Sequence, residues 1–560
     1  MGSVTTPDSH ASAAFHVKRI AIIGAGPSGL AVAKYLLAQG DAFERVDIYE
    51  QQAEVGGVWN YSAKPASAGR LRVPQTDAVH APAETSVLPE PESAPEDDYE
   101  FDSDEEGCSV PGSGQCSRPQ EVTKGSQKQP PLFPSPMYDH LHTNIPHTLM
   151  QYSDLEFPND REIFPSRQVV QDYLVRYSQD VRYLIKFSTQ VVEVSLRNDQ
   201  SQHPIQDQWD VHTKDLLTNS TSNSTYDAVV VASGHYSTAY IPGPNPNPGH
   251  PSMAGIEAFN AAHPGVITHS KLYRSPSVFR NKKVVVVGTG ASGLDIAAQI
   301  KTVCKPPILV SARSRAAPET LAHLGPGVEE VGEISQFRVQ DRGVEFRALG
   351  ADDGGEPRLE RDVDAVLFCT GYLYTFPFLP SLSLSLASVE ADPPLITDGR
   401  RVHGLARHLL HIVHPTLAFP GLPMKVIPFP LAEAQGAVLA RLWSNALPLP
   451  ARDELRDWER RDGERGEEGK GFHVFPKGGD ARYINEMHEW AMQSNMGAGG
   501  MEGKGKEPLF WGDEELWQRS IYAQAKMQFE KTGRRAKTLE ELGFRYDAPG
   551  DLKVKGPIWM

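Results

Sequence analysis

Two stretches of this chain are nearly interchangeable. "GAGPSGLAVA" covers residues 24–33, "GTGASGLDIA" covers residues 288–297, and each follows a run of β-branched residues. The G-x-G-x-x-G spacing suits a tight strand-to-helix turn that holds a dinucleotide. Gly24 and Gly288 permit the turn, Gly26 and Gly290 let the backbone close on a pyrophosphate, and Gly29 and Gly293 allow helix and strand to touch. Ala25, Pro27 and Ser28 complete the first turn, and Ser292, Leu294 and Asp295 belong to the second, where helix N–H groups face the anion. Two such turns imply two nucleotides, and a hydride passing between them.

The end of the next strand selects the nucleotide in each case. In "VDIYEQ", about twenty residues past the first turn, Glu50 can accept hydrogen bonds from both ribose hydroxyls. A carboxylate there repels a 2′-phosphate, so the site suits FAD or NAD. The second site has no acid in that place. "PPILVSARSR" offers Ser311, Arg313 and Arg315, a hydroxyl with guanidinium forks, which suits the 2′-phosphate of NADPH. "AEVGGVWNYS" adds Gly56, Gly57, Val58 and Trp59 just after Glu50. It resembles the G-G-x-W stretch that passes the FAD pyrophosphate in flavoproteins with two dinucleotides, so FAD is expected at the first turn. The bland alternatives are a loop with a core tryptophan and a few basic residues after a strand.

What a reduced flavin does next depends on its surroundings. A disulfide reductase needs a redox-active cysteine pair, and the four cysteines, at 108, 116, 304 and 369, form neither a C-x-x-C nor a metal-ligand spacing. An oxidase needs little beyond access. A monooxygenase needs a dry pocket with hydrogen-bond donors and no protein nucleophile.

Further motifs narrow the choice. "SPMYDHLHTNIPHTLMQYSDLEFP" resembles the flavin-containing monooxygenase pattern of an aromatic, then T-N or S-N, then F-P. The resemblance implies that Asn144, between Thr143 and Ile145, lies beside flavin and NADP⁺ and is the catalytic residue. "HPGVITHSKLYRS" is similar to the family fingerprint G-x-x-x-H-S-x-x-Y through Gly265, His269, Ser270 and Tyr273. It departs at His263, where the family has Phe. Tyr273-Arg274 differs from the Trp-Pro of Baeyer–Villiger relatives, and His269 is expected to tie the domains together and not to act as a base. "YDAVVVASGHYSTAYIP" and "DAVLFCTGYLYTFPFL" resemble the two hinge segments, and "HPTLAFPGLPMKVIPFPLAEAQGAVLARLW" places Gln435 where it would reach the flavin edge. The likeness spans residues 18–80 and 132–450. It implies an NADPH- and O₂-dependent enzyme that oxygenates an amine nitrogen or a sulfur through a C4a-hydroperoxyflavin. A ketone-oxidising Baeyer–Villiger catalyst and a non-catalytic nucleotide sensor stay open.

These sites demand an α/β fold of two Rossmann-like domains, the NADPH domain inserted into the FAD domain. The expected division is a flexible N-terminus over 1–17, an FAD domain over 18–240, an NADPH domain over 241–363, a second FAD part over 364–450 and a helical extension over 451–560. Within it, residues 88–107 hold ten of the acids behind a net charge of −16, so 82–130 reads as a disordered acidic insertion. That charge argues against nucleic acid as a partner. The expected partners are a small-molecule substrate and O₂, with a homo-oligomer left open. No apolar run is long enough to span a bilayer, and the cysteine pattern suits a reducing, cytoplasmic setting, with peripheral membrane contact left open.

Overall fold

A computed structural model of the chain describes residues 14–63, 71–84, 132–197, 204–244, 253–313, 324–349, 356–383, 393–464, 469–495 and 505–548. The expected insertion, 82–130, lies outside them except at 82–84, as do Arg315, Cys108 and Cys116.

Two sheets organise the molecule. The first has seven strands in the order Leu405–Ala406, Leu410–His411, Leu417–Ala418, Ala228–Val231, Arg19–Ile23, Arg45–Tyr49, Ile185–Lys186. Its central strands are parallel. Alternate residues face opposite ways, as a strand's two-residue period requires. Ile20, Ile22, Val46, Ile48, Ala228 and Val230 pack under helices Pro27–Leu37 and Pro428–Trp443. Ala21, Ile23, Val229 and Val231 face a three-stranded antiparallel sheet through Val194, Trp209 and Tyr226. Covered on both sides, such strands read as continuous apolar runs.

The second sheet is wholly parallel, in the order Val328–Val331, Ile308–Ser311, Val284–Val287, Ala365–Phe368, Ile267–His269. Val284, Val286, Ile308, Val310 and Leu367 pack against Ile296 and Ile300 of helix Ala291–Ile300. The opposite face, with Val285, Leu309 and Phe368, meets Phe259, Phe337 and Phe346. The expected α/β fold of two Rossmann-like units is therefore present.

The domain boundaries differ from expectation in three places. Ala365–Phe368 pairs with Val284–Val287 in the second sheet, so the chain does not return near Asp364. It returns at Tyr372–Leu373, which pairs antiparallel with the outbound crossing Thr238–Ala239. The end of the 1–17 segment is not free: Phe15 and Val17 are buried, and the Phe15 amide donates to Asn445 Oδ1 at 2.7 Å. The described residues of 451–548 carry helices Arg452–Glu464, Gly479–Met492 and Asp513–Lys531, and they form part of the core. Ile484 and Met487 of helix Gly479–Met492 join the cluster under the first sheet. Helix Asp513–Lys531 packs Ala525 and Phe529 on Ile163 and Phe164.

A buried ion pair fastens the two C-terminal helices. Arg519 Nε lies 2.8 Å from Asp480 Oδ2, both side chains are inaccessible, and the same oxygen accepts from the Ile427 amide at 3.1 Å. Removing one partner of such a pair strands the other charge, at a cost of about 3–5 kcal/mol. Asp480→Asn should lower the urea midpoint and open residues 513–531 to trypsin. An unchanged midpoint and digest would remove the ion pair's structural role.

Candidate functional site

The first turn closes as tightly as its glycines suggest. Strand Arg19–Ile23 ends at Gly24 with φ +104°, where a Cβ would lie 2.5 Å from the Ala232 carbonyl oxygen. A Cβ on Gly29 would fall 2.0 Å from the Gly24 oxygen, so helix and strand touch backbone to backbone. The second turn repeats the arrangement, with 2.8 Å from Gly288 to the Cys369 oxygen and 2.1 Å from Gly293 to the Gly288 oxygen. The N-caps Gly26 and Gly290 bring no side-chain hydrogen bond to the helices they start, which leaves first-turn N–H groups for an anion. A Cβ on Gly290 would meet nothing within 4 Å, and one on Gly26 would meet only the Gly57 backbone within that range. Both cradles therefore fit a pyrophosphate, and Gly57, Val58 and Trp59 form a short helical turn over the first.

Glu50 follows strand Arg45–Tyr49 and is buried. Its Oε2 accepts from the Ala25 amide and its Oε1 from the Gln52 amide, both at 2.8 Å. Burial raises its carboxyl to about pH 7, against the lowering effect of the amides of Gln52, Ala25 and Gln51. The carboxylate thus fastens the glycine turn and keeps acceptor capacity for a ribose.

Ser311 behaves differently from expectation. It ends strand Ile308–Ser311, but its buried hydroxyl donates to the Gly332 carbonyl at 2.9 Å. That proton is committed to the neighbouring chain, so Ser311 does not offer it to a phosphate. Arg313 is exposed and makes no ion pair among the described residues.

Asn144 lies where the two units meet. Tyr138 and Leu141 pack in the core of the second sheet, while Ile145 and Leu149 pack in that of the first. Thr143 sets the turn: its amide donates to Pro165 O at 2.9 Å and its hydroxyl to Ile145 O at 2.8 Å. Asn144 itself is exposed, and its amide has no partner among the described residues. Its neighbours hold it in place, so its donors are available.

His269 ties the crossing together, as expected. Its Nδ1 accepts from the Lys271 amide and its Nε2 donates to Gly371 O, each at 3.1 Å. Burial pushes its pKa down to about 3, so the ring stays neutral and engaged. Gln435 corrects an expectation. Its Oε1 accepts from the Gly421 amide at 2.8 Å and its Nε2 donates to Tyr483 Oη at 3.0 Å, so the fully buried amide braces the fold and does not reach toward a ligand. Asp295 sits on the second dinucleotide helix, and Tyr138 Oη donates to its Oδ2 at 2.5 Å. Sequence reasoning missed Tyr138 as an Asp295 partner, although the aromatic had been noticed in its motif. It also missed Arg534, which meets Asp295 at 3.3 Å and carries no local signal.

Comparison with known proteins agrees with this fold. Residues 134–317 match the family model described as flavin-binding monooxygenase-like, and residues 22–74 match the NAD(P)-binding Rossmann-like domain. The chain is 29% identical over 504 residues to a thiol-specific monooxygenase of Saccharomyces cerevisiae, covering 89% of each. It is 27% identical over 519 residues to the flavin-containing monooxygenase iboF of Amanita muscaria, covering 87% of this chain and 90% of the other. The solved S-allyl-L-cysteine S-oxygenase of Allium sativum superposes with a TM-score of 0.60 at 22% identity, over 95% of this chain and 98% of that one. Tmm from Pelagibacter gives 0.58 at 21% identity, over 91% of each. At these identities the two structures establish the shared fold.

Glu50 has a testable pH signature in the cofactor-free protein. Its folded pKa of about 7 stands above the ordinary 4.5, so its contribution to stability is full below about 4.5 and is lost as pH rises through about 7. Urea unfolding should show wild type losing stability relative to Glu50→Gln across that window. A difference that stays flat from pH 4.5 to 7.5 would contradict the burial assigned to this carboxyl.

Proposed function

Because the chain belongs to the flavin-containing monooxygenase family, a family of oxidoreductases that work with FAD and NADPH, we propose that it oxygenates a soft nucleophile, a sulfur first and an amine nitrogen second. Sulfur comes first because the yeast relative is named for thiols. In the net reaction NADPH, a proton, O₂ and substrate become NADP⁺, water and substrate carrying one oxygen atom. Bound FAD supplies the redox chemistry, taking a hydride from NADPH and activating O₂.

The protein's share is binding, orientation and water exclusion. The Gly24–Gly29 turn would hold the FAD pyrophosphate, with Glu50 accepting from its ribose and Trp59 beside the turn. The Gly288–Gly293 turn would hold NADPH, with Arg313 recognising the 2′-phosphate. The observation that carries the reading is Asn144, whose unpartnered amide stands at the meeting of the two units. There its N–H donors would face bound flavin and nicotinamide, where they would favour oxygen transfer to substrate over release as peroxide. The two cysteines among the described residues favour the same conclusion over thiol–disulfide chemistry. Cys304 is buried with its thiol pushed up, and burial raises the Cys369 thiol to about 12. Neither offers a thiolate to a flavin.

Two substitutions test the assignment. Asn144→Ala should keep NADPH oxidation but divert it to H₂O₂, cutting the oxygenated fraction roughly tenfold, the scale of one lost hydrogen bond. Unchanged coupling of NADPH to a thiol or thioether substrate would end the role given to Asn144. Arg313→Ala should raise KM for NADPH about 10–100-fold and leave NADH kinetics as they were, the range for a charge-assisted contact. If the preference between the two coenzymes does not move, Arg313 is not the phosphate ligand.

A further inference from the structure

We propose that Arg534, far outside the dinucleotide motifs, is a positioning residue that locks the second dinucleotide helix to the loop bearing Asn144. The inference rests on the monooxygenase reading above and extends it to the C-terminal segment, which that reading leaves without a role.

The placement of Arg534 is costly and specific. Helix Asp513–Lys531 is followed by Gly533 at φ +79° and Arg534 at φ +61°, and the Arg534 amide closes back on Phe529 O at 3.0 Å. Glycine or asparagine adopts that left-handed conformation more readily than arginine. A bulky side chain held there is over-determined by its contacts.

Those contacts join three parts of the fold. Arg534 Nη2 meets Asp295 Oδ1 at 3.3 Å, on the helix that begins at Ala291. Its Nη1 donates to His140 O at 3.2 Å and lies 3.4 Å from His142 Nδ1, two residues before Asn144. Its Nε pairs with Glu530 Oε2 at 2.5 Å, which fixes the fork to its own helix. Asp295 uses its other oxygen for the Tyr138 hydroxyl at 2.5 Å and Gln299 Nε2 at 3.1 Å. Asp295 therefore touches the Asn144 segment both directly through Tyr138 and indirectly through Arg534.

The base of this bridge is firm. Phe529, Ala536, Leu539 and Leu542 are buried against Ile163 and Phe164. The Ile163 amide donates to Ala536 O at 2.9 Å, and the Thr143 amide to Pro165 O at 2.9 Å. One rigid patch thus carries both the turn that presents Asn144 and the segment that presents Arg534. Without the guanidinium, the NADPH helix keeps only the Tyr138–Asp295 contact to the Asn144 segment and loses its tie to that patch, so the register between nicotinamide and the Asn144 donors loosens.

The test uses full-length holoenzyme. Arg534→Asn removes the fork with a residue that tolerates the local backbone, Arg534→Lys keeps only the charge, and Asp295→Asn removes the partner. Two readouts suffice: KM for NADPH in anaerobic flavin reduction, and the peroxide fraction during turnover with a thiol. Arg534→Asn should raise KM roughly fivefold, the scale of a partly screened ion pair, and raise the peroxide fraction, with FAD content and urea midpoint unchanged. Arg534→Lys should recover part of each effect. The double variant Arg534→Asn/Asp295→Asn should be no worse than the more affected single. Wild-type KM and peroxide in Arg534→Asn, full additivity with Asp295→Asn, or an effect that merely tracks FAD loss would overturn the proposal. A wild-type enzyme that oxygenates neither thiol nor amine sinks the functional reading instead, while the anaerobic KM still decides the role of Arg534.

Discussion

The carbonyl oxygen of Gly371 accepts two hydrogen bonds, from the Tyr240 amide at 2.9 Å and from His269 Nε2 at 3.1 Å. Around that atom the outbound crossing, the return crossing and the last strand of the second sheet meet. Domains joined by two linkers are free to move by default. Hydride transfer between two bound dinucleotides instead demands reacting atoms within about 3–3.5 Å of each other. A hinge built from a paired backbone and a neutral buried imidazole meets this demand, because nothing in it changes charge over the physiological pH range.

How far the sequence could be read depended on how local each signal was. The two strand-to-helix turns were legible, because each is encoded within a few residues of glycine spacing, and Glu50 and Asn144 were picked out by the same local spacing. Ser311 and Gln435 were placed on the right elements but given the wrong work. What decides a buried side chain's direction is its partner, and here the partners are Gly332, Gly421 and Tyr483, 21, 14 and 48 residues away along the chain, beyond the reach of local spacing. The return point was misjudged for a related reason. "AVLF" runs directly into the T-G-Y stretch and reads as part of the hinge, whereas its register with Val284–Val287 is a long-range pairing that no local pattern reveals.

The C-terminal third shows the same limit from the other side. Its amphipathic helices were recognisable by period, but not which of their large side chains are covered: Met487 is buried, Trp490 and Trp517 are partly buried against the core, and Met527 is exposed. Their amphipathic period does not show that Tyr483 braces Gln435, or that Arg519 enters a buried pair with Asp480. Gly436 has a comparable hidden reason. A Cβ there would come 3.2 Å from Val32 Cα, so the helix under the first sheet crosses the dinucleotide helix at backbone distance. The sheet that carries the first turn is thus supported by residues some 400 positions downstream.

The two cysteines of the second domain bear on the enzyme's endurance. Cys304 packs in the core behind the second turn, and the Cys369 backbone lies directly under Gly288. A cysteine thiol is oxidised chiefly as its thiolate. With both thiols held protonated by their surroundings, resistance to oxidation at these two positions is built into the packing of the second domain.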